Sequence, residues 1–152
     1  LWLARPFGHQ PVRLRTTQVG WQEEGDRLVL AVERLADHTM MGEVSLILRN
    51  QVARQGEIGY ILHPAFHGAG FASEAVRALL AIGFAQGGLH RISARCDARN
   101  TASFRLMERV GMRREAHFRE HKLVKGVWDD ELIYALLEDE WAAMANDRPA
   151  RL

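Results

Sequence analysis

One cysteine, two lysines and almost no net charge are what this chain of 152 residues has least of. Cys96 stands alone, which excludes an internal disulfide framework and permits a reducing compartment, so a cytoplasmic location is expected. The formal charge is +1, and the 20 basic residues are scattered rather than striped. That gives no electrostatic footprint for nucleic acid. No apolar run approaches the roughly 20 residues that span a bilayer, so no membrane partner is expected. The seven histidines show no compact ligand spacing, so no metal is expected. Repeats and low-complexity segments are also lacking. The chain opens L-W-L-A-R-P, without an initiator Met or a signal-peptide layout, which leaves open a shortened N-terminus that lacks an element or a merely renumbered one.

What is present is ordinary in bulk: 47% hydrophobic and 26% charged residues, at a length that suits a single domain over 1–152. Residues 1–25 hold no sustained period and read as a helix remnant or loop. From there the order becomes legible. Residues 27–34, 40–49 and 56–63 read as three strands with short connections, most economically an antiparallel meander. Residues 71–86 carry Ala75, Val76, Leu79, Leu80 and Phe84 at helical spacing, with Gly87-Gly88 as a stop. Residues 90–96 alternate as a fourth strand, which a helical crossover places parallel to the third. Asn100 caps a short helix to Val110, closed by Gly111. Strands at 116–124 and 131–137 follow, joined across K-G-V-W-D-D, and 138–145 forms an amphipathic tail. The expected fold is α/β (α+β): a mixed, mostly antiparallel sheet of about six strands with helices.

The stretch that organises the chain is H-P-A-F-H-G-A-G-F-A-S-E-A, residues 63–75, between the third strand and the main helix. A glycine-bearing turn at a helix start leaves several backbone N–H groups unpaired and pointing one way, which suits a phosphate or pyrophosphate. A side chain at the glycines would hold an anion away. On spacing alone, an anion cradle and a turn with no ligand both remain open.

With the order of elements in place, His67-Gly68-Ala69-Gly70-Phe71-Ala72 resembles the Q/R-x-x-G-x-G/A signature of the GNAT superfamily of acyl-CoA-dependent N-acetyltransferases, with His67 in place of Gln or Arg. N-T-A-S-F-R-L-M-E-R-V-G-M (100–112) is similar to that family's second coenzyme segment. E-I-G-Y (57–60), G-F-A-S-E-A and the closing W-D-D-E-L-I-Y-A-L-L-E-D-E-W (128–141) resemble the RimJ/RimL-type branch. The resemblance covers roughly 26–141; the family's first strand and much of its first helical region are not evident.

The resemblance implies a GNAT-like sheet with a splayed central parallel pair flanked by helices, and acetyl-CoA as acyl donor. The pyrophosphate would sit on the cradle of His67, Gly68, Ala69, Gly70, Phe71 and Ala72, and the pantetheine arm would pair with the main chain of Ile61, Leu62 and His63. The His67 side chain would contact phosphate or be a plain turn histidine. Asn100 caps its helix and could also meet the pantetheine. Glu57 is the implied base, acting directly or through water, or else an exposed strand-edge glutamate. The family's tyrosine on the short helix is replaced by Met107, whose thioether cannot protonate a thiolate. Ser103 is the implied donor to the coenzyme sulfur. Trp128 would line the acceptor pocket. Cys96, Tyr134 and Trp141 read as packing residues. The acceptor would be a primary amine, on a protein N-terminus or a small molecule, and a homodimer is admissible. The rival reading is an acyl-CoA-binding module without catalysis.

Overall fold

In a computed structural model of the chain, residues 22–147 are described in full and residues 12–18 as backbone. Among the described residues, seven strands form one sheet in the order β1-β2-β3-β4-β5-β7-β6. These are β1 (Val12–Gln18), β2 (Arg27–Arg34), β3 (Met40–Asn50), β4 (Gln55–Leu62), β5 (Arg91–Asp97), β6 (Arg113–Val124) and β7 (Val127–Leu137). Only β4 and β5 run parallel; every other neighbouring pair is antiparallel. The mixed, mostly antiparallel sheet therefore stands as expected.

Two expectations are corrected. The first is the reading of 1–25 as helix or loop, because β1 occupies part of it and pairs with β2 from Val12↔Arg34 to Gln18↔Val29. An edge strand draws its order from the neighbour's ladder, which a local reading of polar residues does not register. Residues 1–11 and 19–21 lie outside the described residues. The second is the connection K-G-V-W-D-D. The turn is Lys125-Gly126 alone, both at positive φ (50° and 76°), and Val127 to Asp130 belong to β7. Two residues in the left-handed region make the tight hairpin turn whose twist matches the flanking strands.

A cross-strand row shows where the core lies. Leu28↔Leu46↔Ile58↔Ala94↔Tyr134 runs from β2 to β7, and Leu46, Ile58, Ala94 and Tyr134 are all buried. This is one face of the sheet, since side chains alternate along a strand. The helices cover it. α1 (Phe71–Ala81) buries Ala75, Val76, Leu79 and Leu80 and continues into a π-helical turn, Ile82–Gln86. There Gly83 packs so closely that a Cβ would stand 2.6 Å from the Ile92 side chain. α2 (Thr101–Arg109) begins where Asn100 Oδ1 accepts the Ser103 N–H at 3.1 Å, as the cap at Asn100 predicts. Tyr134 O–H donates to Glu108 Oε1 of α2 at 2.8 Å. α3 (Glu138–Asn146) lays Trp141 on Phe84 with ring centroids 5.8 Å apart. Among the described residues no helix is long and apolar enough to cross a membrane.

The opposite face of the sheet's centre is ionic. Glu57 lies between Arg49 (3.1 Å) and Arg95 (3.2 Å), and the Glu131 carboxylate, 2% exposed, meets Lys122 (2.5 Å) and His121 (3.3 Å). Burying a carboxylate is tolerable only with such partners.

Candidate active site

The parallel pair is in register from Gln55↔Arg91 to Ile58↔Ala94 and then stops, although β4 continues to Leu62 and β5 to Asp97. Beyond Ile58 the two strands are unbridged. The cleft of ≈ 510 Å³ that opens there is walled by Tyr60, Ile61 and Leu62 of β4, the turn before α1, the first turn of α1 and one face of α2.

At one end lies the glycine turn. Gly68 (φ 78°) and Gly70 (φ 85°) occupy the left-handed region that other residues enter at a cost. Gly70 is the N-cap of α1, without a side-chain cap. Among the described residues, the N–H groups from Gly68 to Ser73 have no hydrogen-bond acceptor, whereas Glu74 N–H already closes the first helical bond to Gly70 O at 3.1 Å. These donors and the positive end of α1 fit a phosphate group. The His67 side chain is engaged elsewhere: its Nε2 lies 2.8 Å from Leu62 O. A carbonyl only accepts, so Nε2 carries a proton and is committed to Leu62 rather than to a phosphate.

Along β4 the main chain alternates in direction. His63 N–H donates to Met41 O at 2.8 Å, in register with the β3 ladder, so the amides of His63 and Ile61 face β3. Leu62 and Tyr60 turn theirs toward the open side. Of the three expected main-chain contacts, Leu62 is the one aimed into the cleft, and its carbonyl holds His67. His63 instead begins a short 3-10 turn, Pro64–Phe66, its Nδ1 accepting the Ala65 N–H at 3.1 Å.

The far wall is α2. Asn100, Ser103, Leu106 and Arg109 recur every three residues and all line the cleft. Ser103 Oγ lies 2.8 Å from Tyr60 Oη. Burial pushes the Tyr60 phenol up to about 12, against the lowering effect of its bond to Ser103. Across the splay, burial likewise pushes the half-buried Cys96 thiol up, consistent with a packing cysteine. Met107 is 1% exposed and belongs to the core, so α2 presents no acid at that position.

The structure thus brings Ile61, Leu62, His67, Gly68, Gly70, Ala72, Asn100 and Ser103 to one cleft. His63, Ala69 and Phe71 adjoin it; Phe71 is buried in the core. Two predicted residues lie apart. Glu57 is on the opposite face of β4, its side chain 13% exposed, both oxygens accepting from Arg49 (3.1 and 3.2 Å) and one also from Arg95. Trp128 sits in β7, 57% exposed, opposite Leu123 near the hairpin end. Sequence reading also passes over Tyr60, Ser73 and Arg109, which line the cleft; Arg109 Nε donates to Ser73 Oγ at 3.3 Å. The three-residue ladder from Asn100 was the available signal for Arg109, and the strand period from Leu62 for Tyr60.

Comparison with known proteins fits this geometry. Residues 5–113 match the acetyltransferase (GNAT) domain model. An uncharacterized N-acetyltransferase of Bacillus subtilis (strain 168), YnaD, is 45% identical over 85 residues, 56% of this chain and 50% of that protein. The crystal structure of a GNAT-family acetyltransferase from Bacillus anthracis is similar with a TM-score of 0.69 and 36% identity, over 73% of this chain and 66% of that one. Spermidine N-acetyltransferase from Vibrio cholerae, in complex with CoA and spermine, gives a TM-score of 0.71 and 26% identity, over 76% of this chain and 68% of that one. The chain therefore spans half of its curated relative YnaD and about two thirds of these solved chains. On the match over 5–113, with the splayed sheet and the glycine turn, the chain belongs to the GNAT acetyltransferase family.

Proposed function

We propose that this protein is an N-acetyltransferase that moves an acetyl group from acetyl-CoA directly to a primary amine. The observation that carries the reading is the cleft, which joins a row of unpaired helix-start N–H groups to an unbridged strand edge. A diphosphate fits the first and an extended amide-bearing arm the second. In this reading Gly68 to Ala72 hold the pyrophosphate through backbone N–H groups, and His67 braces the end of β4. The Leu62 main chain pairs with the arm, and its N–H can stabilise the oxyanion of the tetrahedral intermediate. Asn100 lines the arm's path.

In the transfer, the amine lone pair forms the C–N bond and the C–S bond breaks with its electron pair on sulfur. One proton leaves nitrogen, because a lysine-like amine has a pKa of about 10.4 and must be neutral to attack. One proton reaches sulfur. Glu57 takes the first through water, from an amine approaching on its face of the sheet, and Ser103 hydrogen-bonds the sulfur. Trp128 contributes to the acceptor side. The chain acts as one domain in the cytoplasm, on a protein N-terminus or a small-molecule amine. The E-I-G-Y, G-F-A-S-E-A and W-D-D-E-L-I-Y runs support the RimJ/RimL-type branch.

The buried Met107 in place of a helix tyrosine favours the second reading, an acyl-CoA-binding module. Incubation with acetyl-CoA and a panel of polyamines, amino-acid amides and peptides separates the two. Amine-dependent release of free thiol is the expected result. Coenzyme binding without thiol release from any acceptor would leave the binding module.

A further inference from the structure

The one hydrogen-bonded hydroxyl pair in the cleft among the described residues joins β4 to α2: Tyr60 Oη stands 2.8 Å from Ser103 Oγ and 3.2 Å from the Ser103 carbonyl oxygen. The two contacts cannot both take the single phenol proton at once. If Tyr60 donates to the carbonyl, the Ser103 hydroxyl donates to Tyr60 and the pair closes on itself. If Tyr60 donates to Ser103 Oγ, the Ser103 proton is freed for an acceptor in the cleft or for the neighbouring Cys96 sulfur, the weaker acceptor. Negative charge in the cleft selects the second arrangement, because it gains a hydrogen bond to an anion. Burial keeps the phenol protonated, so it remains a donor throughout the neutral range. The other titratable or charged groups that act on it are the Cys96 thiol, which burial also keeps neutral, and Arg109.

We infer that Tyr60 is a positioning residue that turns the Ser103 hydroxyl onto the leaving sulfur of the coenzyme, so that a phenol from β4 supports the serine of α2, where Met107 offers no hydroxyl. The inference rests on the acetyl-transfer reading. When the C–S bond breaks and its electron pair stays on sulfur, Ser103 O–H donates to the thiolate and Tyr60 O–H donates to Ser103 Oγ. The proton that finally neutralises the thiolate comes from solvent, and neither side chain changes its protonation state.

Tyr60→Phe, Ser103→Ala and the double variant test this in the full chain with two readouts. The first is kcat and KM for acetyl-CoA. The second is the thiol titration of bound CoA, labelled with ¹³C beside the sulfur and followed by NMR against pH. Each single variant is expected to lower kcat about tenfold with KM within about twofold. Each should also raise the bound thiol's pKa by about one unit. The double variant should match the singles, since the two side chains act as one unit. Unchanged kcat and thiol titration in Tyr60→Phe would overturn the inference, as would losses that add in the double variant. If the wild-type chain releases no thiol with any amine, acetyl transfer fails, and the bound-thiol titration still decides the role of Tyr60. A chain that binds no CoA overturns both.

Discussion

Strands β4 and β5 are two different structures along one length. Between Gln55 and Ile58 they form a regular parallel ladder, and the row Leu46–Ile58–Ala94 places their side chains in the core. From Gly59 to Leu62 the ladder is gone, Ile61 is 71% exposed, and main-chain groups face a cleft instead of a strand. The first half is paired along both edges; the second is paired with β3 alone and leaves its other edge open. A strand can serve both ends only because the paired half anchors the open one. Ile58→Ala and Ile61→Ala, three residues apart, test that division most strongly. Ile58→Ala removes a buried side chain and is expected to cost about 2–5 kcal/mol in denaturant unfolding. Ile61→Ala should stay within about 0.5 kcal/mol. Comparable losses at the two positions would break the comparison.

The two faces of β4 give a second contrast, between Glu57 and Tyr60. Glu57→Gln preserves shape and one acceptor oxygen, which can take the Nε–H groups of Arg49 and Arg95, but it sets an amide NH2 against Arg49 Nη2 and removes the proton acceptor. If Glu57 is the base, kcat falls about 10²-fold, the acidic limb of the pH–rate profile disappears, and coenzyme affinity holds. If Glu57 only bridges the two arginines, turnover and pH profile stay as in the wild type and only a modest ion-pair loss appears in stability. Measuring kcat against pH for the variant separates these outcomes.

How much of this was legible in the sequence follows from range. The meander, the crossover helix and the Asn100 cap are local periodicities and local hydrogen bonds, and they stand at their predicted places. The splay itself is not a local property, but the family resemblance carried it. β1 was illegible because its ladder partner is β2 and its own residues are largely polar. The Lys125-Gly126 turn was obscured because Lys125, unlike Asn or Asp, does not advertise a positive φ. The Tyr60–Ser103 pair joins residues 43 apart in sequence, a proximity that only the folded sheet creates. The π-helical turn is likewise a tertiary outcome: widening the helix at Ile82–Gln86 lets Gly83 settle on Ile92 and Leu46.

Within the open half, the glycine turn and the strand edge should contribute separately to coenzyme affinity, and Gly70→Val probes the turn alone. Gly70 sits at φ 85°, where a β-branched residue is a true outlier, so the variant must rebuild the turn or carry strain. Either course moves the N–H groups that precede Phe71 out of their common direction. Each bond from such a group to a charged phosphate is a charge-assisted one, so losing one or more should weaken CoA binding by at least about tenfold. The core is not touched, because Gly70 caps α1 rather than packing into the sheet, and the unfolding midpoint should fall by only a few degrees. Titration calorimetry with CoA, and with dephosphorylated pantetheine as a control lacking the pyrophosphate, reads the difference. Weakened CoA binding with unchanged pantetheine binding places the anion on the turn. Equal weakening of both would mean that the turn shapes the strand edge as well, and the two parts of the open half would no longer be separable.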